Sequence, residues 1–144
     1  MNLYRYRILA VGKVKKAWIQ EGINLYLKRL PGLIISEIRN SNPKKEAQII
    51  LSSLKKNEHV VLLGEESSAF SSIEFSQKLD EFGKKRLVFI IGGTDGVSSE
   101  LEKVAHMRLS LSPLTFPHEI ARLLLIEQIY RAQSILTKSP YHRS

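Results

Sequence analysis

The sequence predicts an α/β domain with a mostly parallel β-sheet and helices on both faces. Strand-like stretches alternate with stretches of helical periodicity along the whole chain, which is the pattern of this class. The run LVFII at residues 87–91 has no polar side chain, as expected for a strand covered on both faces. The chain has 144 residues, enough for one domain with a substantial core, and residues 1–144 are interpreted as a single domain.

Five strands are predicted. The first, YRYRILAV, starts with alternating side chains and ends apolar, whereas LIISEI and HVVLL are short runs rich in branched aliphatic residues. The predicted strands cover residues 4–11, 33–38, 59–63, 87–91 and 107–111.

Five helices are predicted from apolar residues at helical spacing and from signals at the helix ends. Pro31 and Gly32 stop the first, Ser71 and Glu74 have capping-box spacing, and Gly83 ends that same helix. Pro117 suits the first turn of the last helix. The predictions are residues 17–30 and 46–54, a helix capped by Ser71 or Ser72 that runs through Phe82, a short helix capped by Ser98 or Ser99 that ends near residue 105, and residues 117–136.

The composition excludes several classes of protein and favours a polyanionic partner. The absence of cysteine excludes disulfides and thiolate metal sites and fits a reducing, cytoplasmic compartment. The four histidines lack metal-ligand spacing, so no metal is expected. No apolar run approaches the ~18 residues of a membrane span, and no signal peptide is predicted. The formal charge of +8 favours nucleic acid as the partner, and the alternative is a merely basic surface.

Two loops that follow strands are candidates for a ligand site. The sequence GGTDG at residues 92–96 follows the buried strand, and ligands of open α/β sheets bind beyond the carboxyl ends of strands. It matches neither the dinucleotide nor the P-loop pattern, and an ordinary turn is the alternative. The loop LSPLTFP at residues 111–117 has two prolines and places backbone polar groups beside an apolar wall. Such a loop suits an adenine ring and a neutral or zwitterionic cofactor, and a rigid connection is the alternative.

The last helix and the tail indicate contacts beyond one chain. The helix is apolar around most of its circumference, so a second subunit is expected to cover part of it. Arg122, Glu127 and Arg131 are then expected in or at the rim of that contact, although Glu127 and Arg131 also have the spacing of an intrahelical ion pair. Residues 138–144 combine cations with aromatic rings that can contact phosphates and unpaired bases, and a frayed basic terminus is the alternative.

Taken in order, the segments IIGGTDG, SLSPLTFPHEIAR, IEQIYRA and PYHR resemble the ribosomal RNA large subunit methyltransferase H family, and the resemblance covers nearly the whole chain. It implies a SPOUT-type fold, with one methyltransferase domain over residues 1–144 and a C-terminal trefoil knot. It also implies a homodimer with the last helix at the interface. The implied activity is S-adenosylmethionine-dependent methylation of N3 of a pseudouridine in 23S rRNA, on assembled ribosomes in the cytoplasm.

The resemblance also implies site residues by position. Cofactor contacts fall on one strand end, the glycine turn and the double-proline loop, at Leu63, Gly92, Leu111, Ser112, Pro113, Leu114, Thr115 and Phe116. Polar residues of the flanking motifs are predicted around the target base, with the tail supplied by either subunit; they are His118, Arg131, His142 and Arg143, and Tyr141 is predicted to stack on the base. The residue that takes the N3 proton is left open, but an arginine is unsuited because its pKa is far too high.

Three other interpretations compete with this one. A non-enzymatic ribosome-binding protein shares the basic charge but needs no glycine turn beside a double-proline loop. A dinucleotide enzyme is disfavoured because no glycine fingerprint follows the first strand. A SPOUT methyltransferase that acts on transfer RNA has the same fold and cofactor, but the PYHR tail argues against it.

Overall fold

The computed structural model describes residues 3–143, except for the side chains of residues 65–67, and within this part the chain forms five strands and five α-helices. The strands are β1 Tyr6–Val11, β2 Ile34–Ile38, β3 Glu58–Ala69, β4 Arg86–Ile91 and β5 Met107–Ser110. The helices are α1 Ala17–Lys28, α2 Pro43–Ser53, α3 Ser72–Phe82, α4 Ser99–Val104 and α5 His118–Leu136. Strands and helices alternate as the sequence predicts.

Every strand of this sheet is parallel to its neighbours, in the order β2-β1-β4-β3-β5. β4 lies between β1 and β3, so that Leu87 pairs with Tyr6 on one side and with His59 on the other. Its residues from Leu87 to Ile91 are all buried, which confirms the prediction from their continuous apolarity. Because the strands are parallel, their carboxyl ends meet at one edge of the sheet.

Helices cover both faces of the sheet, as predicted. On one face, α1, α3 and α5 pack against the strands, and Phe89 of β4 belongs to the same cluster as Ile19, Phe75 and Leu125 from the three helices. On the other face, α2 and α4 pack against a second cluster that contains Leu9, Ile90, Ile50 and Leu101. Burial of apolar side chains on both faces is the main force that fixes the position of the sheet.

Some predicted boundaries were wrong, and local hydrogen bonds explain the differences. Residues Leu3–Arg5 form a 3-10 turn before β1. Helix α2 starts at Pro43 because the Asn42 side chain accepts a hydrogen bond from Lys45 N at 2.9 Å and caps it. Strand β3 extends to Ala69 because its second half pairs with β5 after a register shift. Pro117 is the N-cap of α5 and not part of its first turn.

Tyr6 makes the stability of this core sensitive to alkaline pH. Its side chain is buried and meets the Phe89 ring edge-on at 6.0 Å between centroids. Burial disfavours the phenolate and raises the pKa of Tyr6 to about 12. An unfolded chain ionises this phenol near pH 10, so the folded state loses about 2 kcal/mol of stability as the pH rises from about 10 to about 12.

The substitution Tyr6→Phe is expected to remove this alkaline loss, because phenylalanine cannot ionise. The free energy of unfolding, measured by urea denaturation across that pH window, should fall less steeply in the variant than in the parent protein. Tyr4→Phe is the matched control, since the Tyr4 side chain is 73% exposed and lies outside the core. Equal slopes for Tyr6→Phe and the parent protein would contradict the assignment.

Candidate active site

A cleft of about 780 Å³ opens at the carboxyl ends of β4 and β5 and beside residues 62–64 in the middle of β3. Leu63 in β3, Ile91 at the end of β4 and Ser110 at the end of β5 contribute to its base. The glycine turn after β4 and the loop after β5 form its walls, and the first turn of α5 closes one side with His118 and Ala121. A cavity of this size accommodates a cofactor or a small ligand.

The structure brings seven of the eight predicted cofactor residues together in this cleft. Pro113 is exposed and does not line it. The seven that do are Leu63, Gly92, Leu111, Ser112, Leu114, Thr115 and Phe116. Their role as cofactor contacts stays a prediction.

The loop between β5 and α5 is held by its own serines. Ser110, which is buried, donates its hydroxyl hydrogen bond to Ser112 O at 2.8 Å, and Ser112 Oγ accepts from Leu114 N at 3.0 Å. These hydrogen bonds within the loop hold its conformation without a ligand. The side chain of Leu114 is left 70% exposed on the cleft wall, where it forms an apolar surface.

The turn after β4 requires glycine for reasons of space and backbone conformation. A Cβ atom at Gly92 would lie 2.6 Å from Val97 Cγ1, and one at Gly93 would lie 3.1 Å from Val11 Cγ1. Gly96 has a φ of +80° and donates its N–H to Gly93 O at 3.1 Å, which closes the turn. Gly92 has no side chain and lines the cleft with its backbone atoms alone.

Arg108 is a cleft residue that our sequence interpretation missed. It lines the cleft from β5, and its guanidinium lies 3.4 Å from Glu102 O and 4.0 Å from a carboxylate oxygen of the same residue. The sequence signal for Arg108 is a charged residue between apolar Met107 and Leu109 in a predicted strand. Because successive side chains of a strand point to opposite faces, Arg108 lies on the other face from its two neighbours.

The predicted substrate residues form two separate groups. His118 lines the cleft, whereas Arg131 lies 13 residues further along α5, about 20 Å away along the helix axis. Arg131 Nη1 lies 3.1 Å from His142 Nδ1, so the tail packs at the far end of this helix. Arg143 is exposed. Within one chain, the predicted residues of the tail and the cleft are not adjacent.

The tail is anchored by a network around Glu127. One carboxylate oxygen of Glu127 accepts from Arg131 Nη2 at 2.6 Å, which confirms the predicted ion pair, and from the Tyr141 hydroxyl at 2.9 Å. The Tyr141 hydroxyl also lies 3.1 Å from that of Tyr26, and the Arg131 guanidinium lies 4.8 Å from the centre of the Tyr141 ring. Burial, followed by these hydrogen bonds, raises the pKa of Tyr141. The tail is therefore packed onto its own chain and is not frayed up to His142.

Arg122 was expected in or at the rim of a subunit contact, and that expectation was wrong. Its side chain is buried inside its own chain, where Nη1 lies 2.6 Å from Glu37 Oε2 and Nη2 donates to Gly12 O at 3.0 Å. Arg122 thus connects α5 to the carboxyl ends of β1 and β2.

Within residues 3–143, side chains of residues 65–67 aside, no group of three or more histidine and acidic side chains could hold a metal ion. In the same part of the chain, no helix combines the length and apolarity needed to cross a membrane.

Sequence comparison assigns this architecture to a known group. A family model described as a predicted SPOUT methyltransferase matches residues 4–142. A ribosomal RNA large subunit methyltransferase H of Parasynechococcus marenigrum strain WH8102 is 62% identical over 144 residues and is covered over its full length, as is this chain. A protein of the same name from Synechococcus sp. strain CC9605 is 58% identical, again with full coverage of both chains.

Solved structures share the fold at low sequence identity. A probable methylase family protein from Haemophilus influenzae Rd KW20 superposes with a TM-score of 0.63 at 11% identity, over 99% of this chain and 72% of that one. A SpoU methyltransferase from Streptomyces viridochromogenes gives a TM-score of 0.52 at 11% identity, over 93% and 61% of the two chains. The SPOUT-type α/β fold is thereby confirmed, and the trefoil knot stays a prediction.

Proposed function

The chain belongs to the ribosomal RNA large subunit methyltransferase H family of SPOUT methyltransferases, and from this premise we propose that it methylates N3 of a pseudouridine in 23S rRNA with S-adenosylmethionine as donor. The observation that supports the proposal most directly is the cleft at the carboxyl ends of β4 and β5, next to the middle of β3. A glycine turn and a double-proline loop, both present in the family resemblance, form its walls. We place the substrate on assembled ribosomes in the cytoplasm and treat residues 1–144 as one domain.

The residues of the cleft fit S-adenosylmethionine. We propose that Leu114 and Phe116 contact the adenine ring and that the backbone near Gly92 and Leu111 binds the polar groups. The bare backbone at Gly92 and the apolar surface of Leu114 are the features that support this fit. When bound, the cofactor supplies an electrophilic methyl group on a positively charged sulfur.

The protein contributes mainly by alignment and by handling one proton. A methyl transfer needs nucleophile, carbon and leaving group in line, and a rigid cleft supplies that order. The N3–H of the target must lose its proton, and an imidazole can accept one near neutral pH, whereas a guanidinium cannot. We propose His118 of the cleft and His142 of the tail as the two candidate bases. Arg131 and Arg143 would stabilise the anion or bind phosphate, and Tyr141 would stack on the base.

We propose that the enzyme is a homodimer in which the tail of one copy completes the cleft of the other. The first supporting observation is that the tail and the cleft of one chain lie about 20 Å apart, so that a chain cannot complete its cleft with its own tail in this arrangement. The second is an exposed apolar surface beside α5, where Trp18 is 60% and Leu25 51% exposed. Trp18 and Leu25 share one face of α1 with Gly22. This face lies next to α5, since a Cβ atom at Gly22 would contact the Leu123 side chain.

A complementation experiment tests the composite site. One variant ends at Ser139 and lacks the tail, and the other carries Gly92→Val and lacks a usable cleft. Each alone should be inactive, and the tail variant should still bind S-adenosylmethionine. When the two are unfolded and refolded together, random pairing should restore about a quarter of the sites, because half of the dimers then combine one intact cleft with one intact tail from the other copy.

No recovery in mixed dimers would mean that each chain uses its own tail or none. Full activity of the tail variant alone would show that the tail has no role. Light scattering on the parent protein reports whether a dimer forms, so that a monomer would contradict the proposal directly.

The proposed function is tested by transfer of a labelled methyl group from S-adenosylmethionine to large ribosomal subunits and to whole ribosomes from cells that lack the enzyme. We expect label on N3 of a single pseudouridine in 23S rRNA. Label on another nucleotide would retain the enzyme class and change the substrate. No label and no cofactor binding would favour a non-enzymatic ribosome-binding protein, and efficient labelling of an isolated stem-loop would contradict the need for an assembled particle.

A further inference from the structure

The carboxyl edge of the sheet carries a cluster of cations beside the cleft. The cluster comes from the loop after β1, the loop after β2 and the first turn of α2, and all six side chains are exposed. We call this surface the basic edge; its residues are Lys13, Lys15, Lys16, Arg39, Lys44 and Lys45. None of the six forms an ion pair among the side chains described in residues 3–143.

The basic edge is adjacent to the glycine turn of the cleft. A Cβ at Gly93 would lie 3.1 Å from Cγ1 of Val11, the last residue of β1, and 3.4 Å from Oδ1 of Asn40, in the loop after β2. Gly12 N donates to Ile38 O at 2.7 Å and joins the loops to each other. The basic edge therefore begins next to the glycine turn that forms one wall of the cleft.

Acidic residues of this region accept hydrogen bonds from backbone groups and make no ion pair with the cationic side chains of the basic edge among those described in residues 3–143. Glu119 Oε1 accepts from the backbone N–H groups of Lys15 and Lys16 at 2.8 and 3.2 Å, and Glu46 Oε2 accepts from Ser41 N at 2.7 Å. Glu46 is buried. These carboxylates fix the loop backbones in place, so the lysine side chains project from a rigid surface.

Helix stability does not account for the cations. Lys16 is the N-cap of α1, and Lys44 and Lys45 lie in the first turn of α2. The positive end of a helix dipole disfavours cations at both places. The loss of helix stability that these cations cause is explained if their side chains bind an anion.

We propose that the basic edge binds the phosphate backbone of the RNA segment that flanks the target nucleotide. The proposal rests on the function proposed above, since it names the part of the protein that holds the substrate. Phosphate contacts position a nucleic acid without reading its sequence. Each contact releases counterions, so binding should depend steeply on salt.

Two triple variants of identical composition test the proposal. The first is Arg39→Gln, Lys44→Gln and Lys45→Gln in the basic edge. The control is Lys84→Gln, Lys85→Gln and Arg86→Gln, which removes the same charge from exposed residues at the amino end of β4, about 20 Å away at the opposite edge. The affinity for large ribosomal subunits is measured for each protein over a range of KCl concentrations, together with the affinity for S-adenosylmethionine.

We expect the first variant to lose about 100-fold in subunit affinity near physiological salt and to lower the slope of log affinity against log salt by about 0.7 to 0.9 per lost contact. The control should stay near the parent protein, and cofactor affinity should be unchanged in both. A second basic-edge variant, Lys13→Gln with Lys15→Gln and Lys16→Gln, should behave like the first.

Equal losses in the basic-edge variants and the control would overturn the proposal, because they would reflect net charge alone. An unchanged salt slope in the basic-edge variants would overturn it as well. If the basic-edge variants bind subunits more weakly than the control variant but the parent protein transfers no methyl group, the basic edge is supported while the proposed function fails.

Discussion

Alanine at Gly92 is expected to lower methyl transfer by about 100-fold, mainly through loss of cofactor binding. The added Cβ would lie 2.6 Å from Val97 Cγ1 and 3.3 Å from Gly96 O. Valine is stiff at χ1 and cannot swing away, so the turn itself must move. A displacement of this backbone changes the wall of the cleft, which Gly92 lines. Isothermal titration with S-adenosylmethionine and the labelled-methyl assay measure the two effects.

The control for this substitution is a second change at the clashing atom. Val97→Ala removes Cγ1 and should have a small effect alone, whereas the double variant should recover part of the activity that Gly92→Ala loses. Such non-additivity is expected for residues in contact. If the double variant is as impaired as Gly92→Ala, the contact with Val97 is not the cause. Normal cofactor affinity in Gly92→Ala would place the cofactor elsewhere.

Replacement of Arg122 by alanine is expected to lower the free energy of unfolding by about 3 kcal/mol. The side chain is 2% exposed and makes a 2.6 Å ion pair with Glu37 and a 3.0 Å bond to Gly12 O. Loss of a buried partner leaves a cavity and unpaired acceptors. The effect is at the lower end of the range for buried pairs, because Glu37 is 40% exposed and water can solvate it. Urea denaturation monitored by circular dichroism measures the change.

Two further variants separate charge from packing at Arg122. Glu37→Gln should cost about 1 kcal/mol, since it keeps the hydrogen bond and removes one charge. Arg122→Met keeps most of the volume, and a stability near that of the parent protein would show that packing dominates the effect. A loss below about 0.5 kcal/mol in Arg122→Ala, the size expected of an ordinary surface change, would contradict a structural role.

Sequence signals that act locally predicted much of the structure. The capping box of Ser71 and Glu74 is present, with bonds of 3.1 and 2.9 Å, and Gly83 ends α3 as expected. The glycine turn and the double-proline loop were identified because glycine widens and proline restricts the backbone conformations of a segment, whatever its distant contacts are. Both line one cleft.

Features that depend on distant partners were not predictable in this way. Arg122 and Glu37 are 85 residues apart, and nothing in their local sequence pairs them. The second half of β3 is defined by its pairing with β5 across a register shift, and its own composition resembles a polar loop. The packing of Tyr141 against Glu127 and Tyr26 likewise arises only when α1, α5 and the tail meet.

The central place of β4 has a consequence for how the protein is made. Until residues 86–91 leave the ribosome during synthesis, β4 is absent, so β1 and β3 each have an unpaired edge that β4 covers in the folded sheet. Contacts such as Tyr6 with Leu87 span most of the chain, and such long-range pairing makes folding slow. The open edges in the meantime are sites where nascent chains can associate. Chaperone demand should therefore be highest for chains that end shortly before Arg86 and should decrease once β4 has entered the sheet.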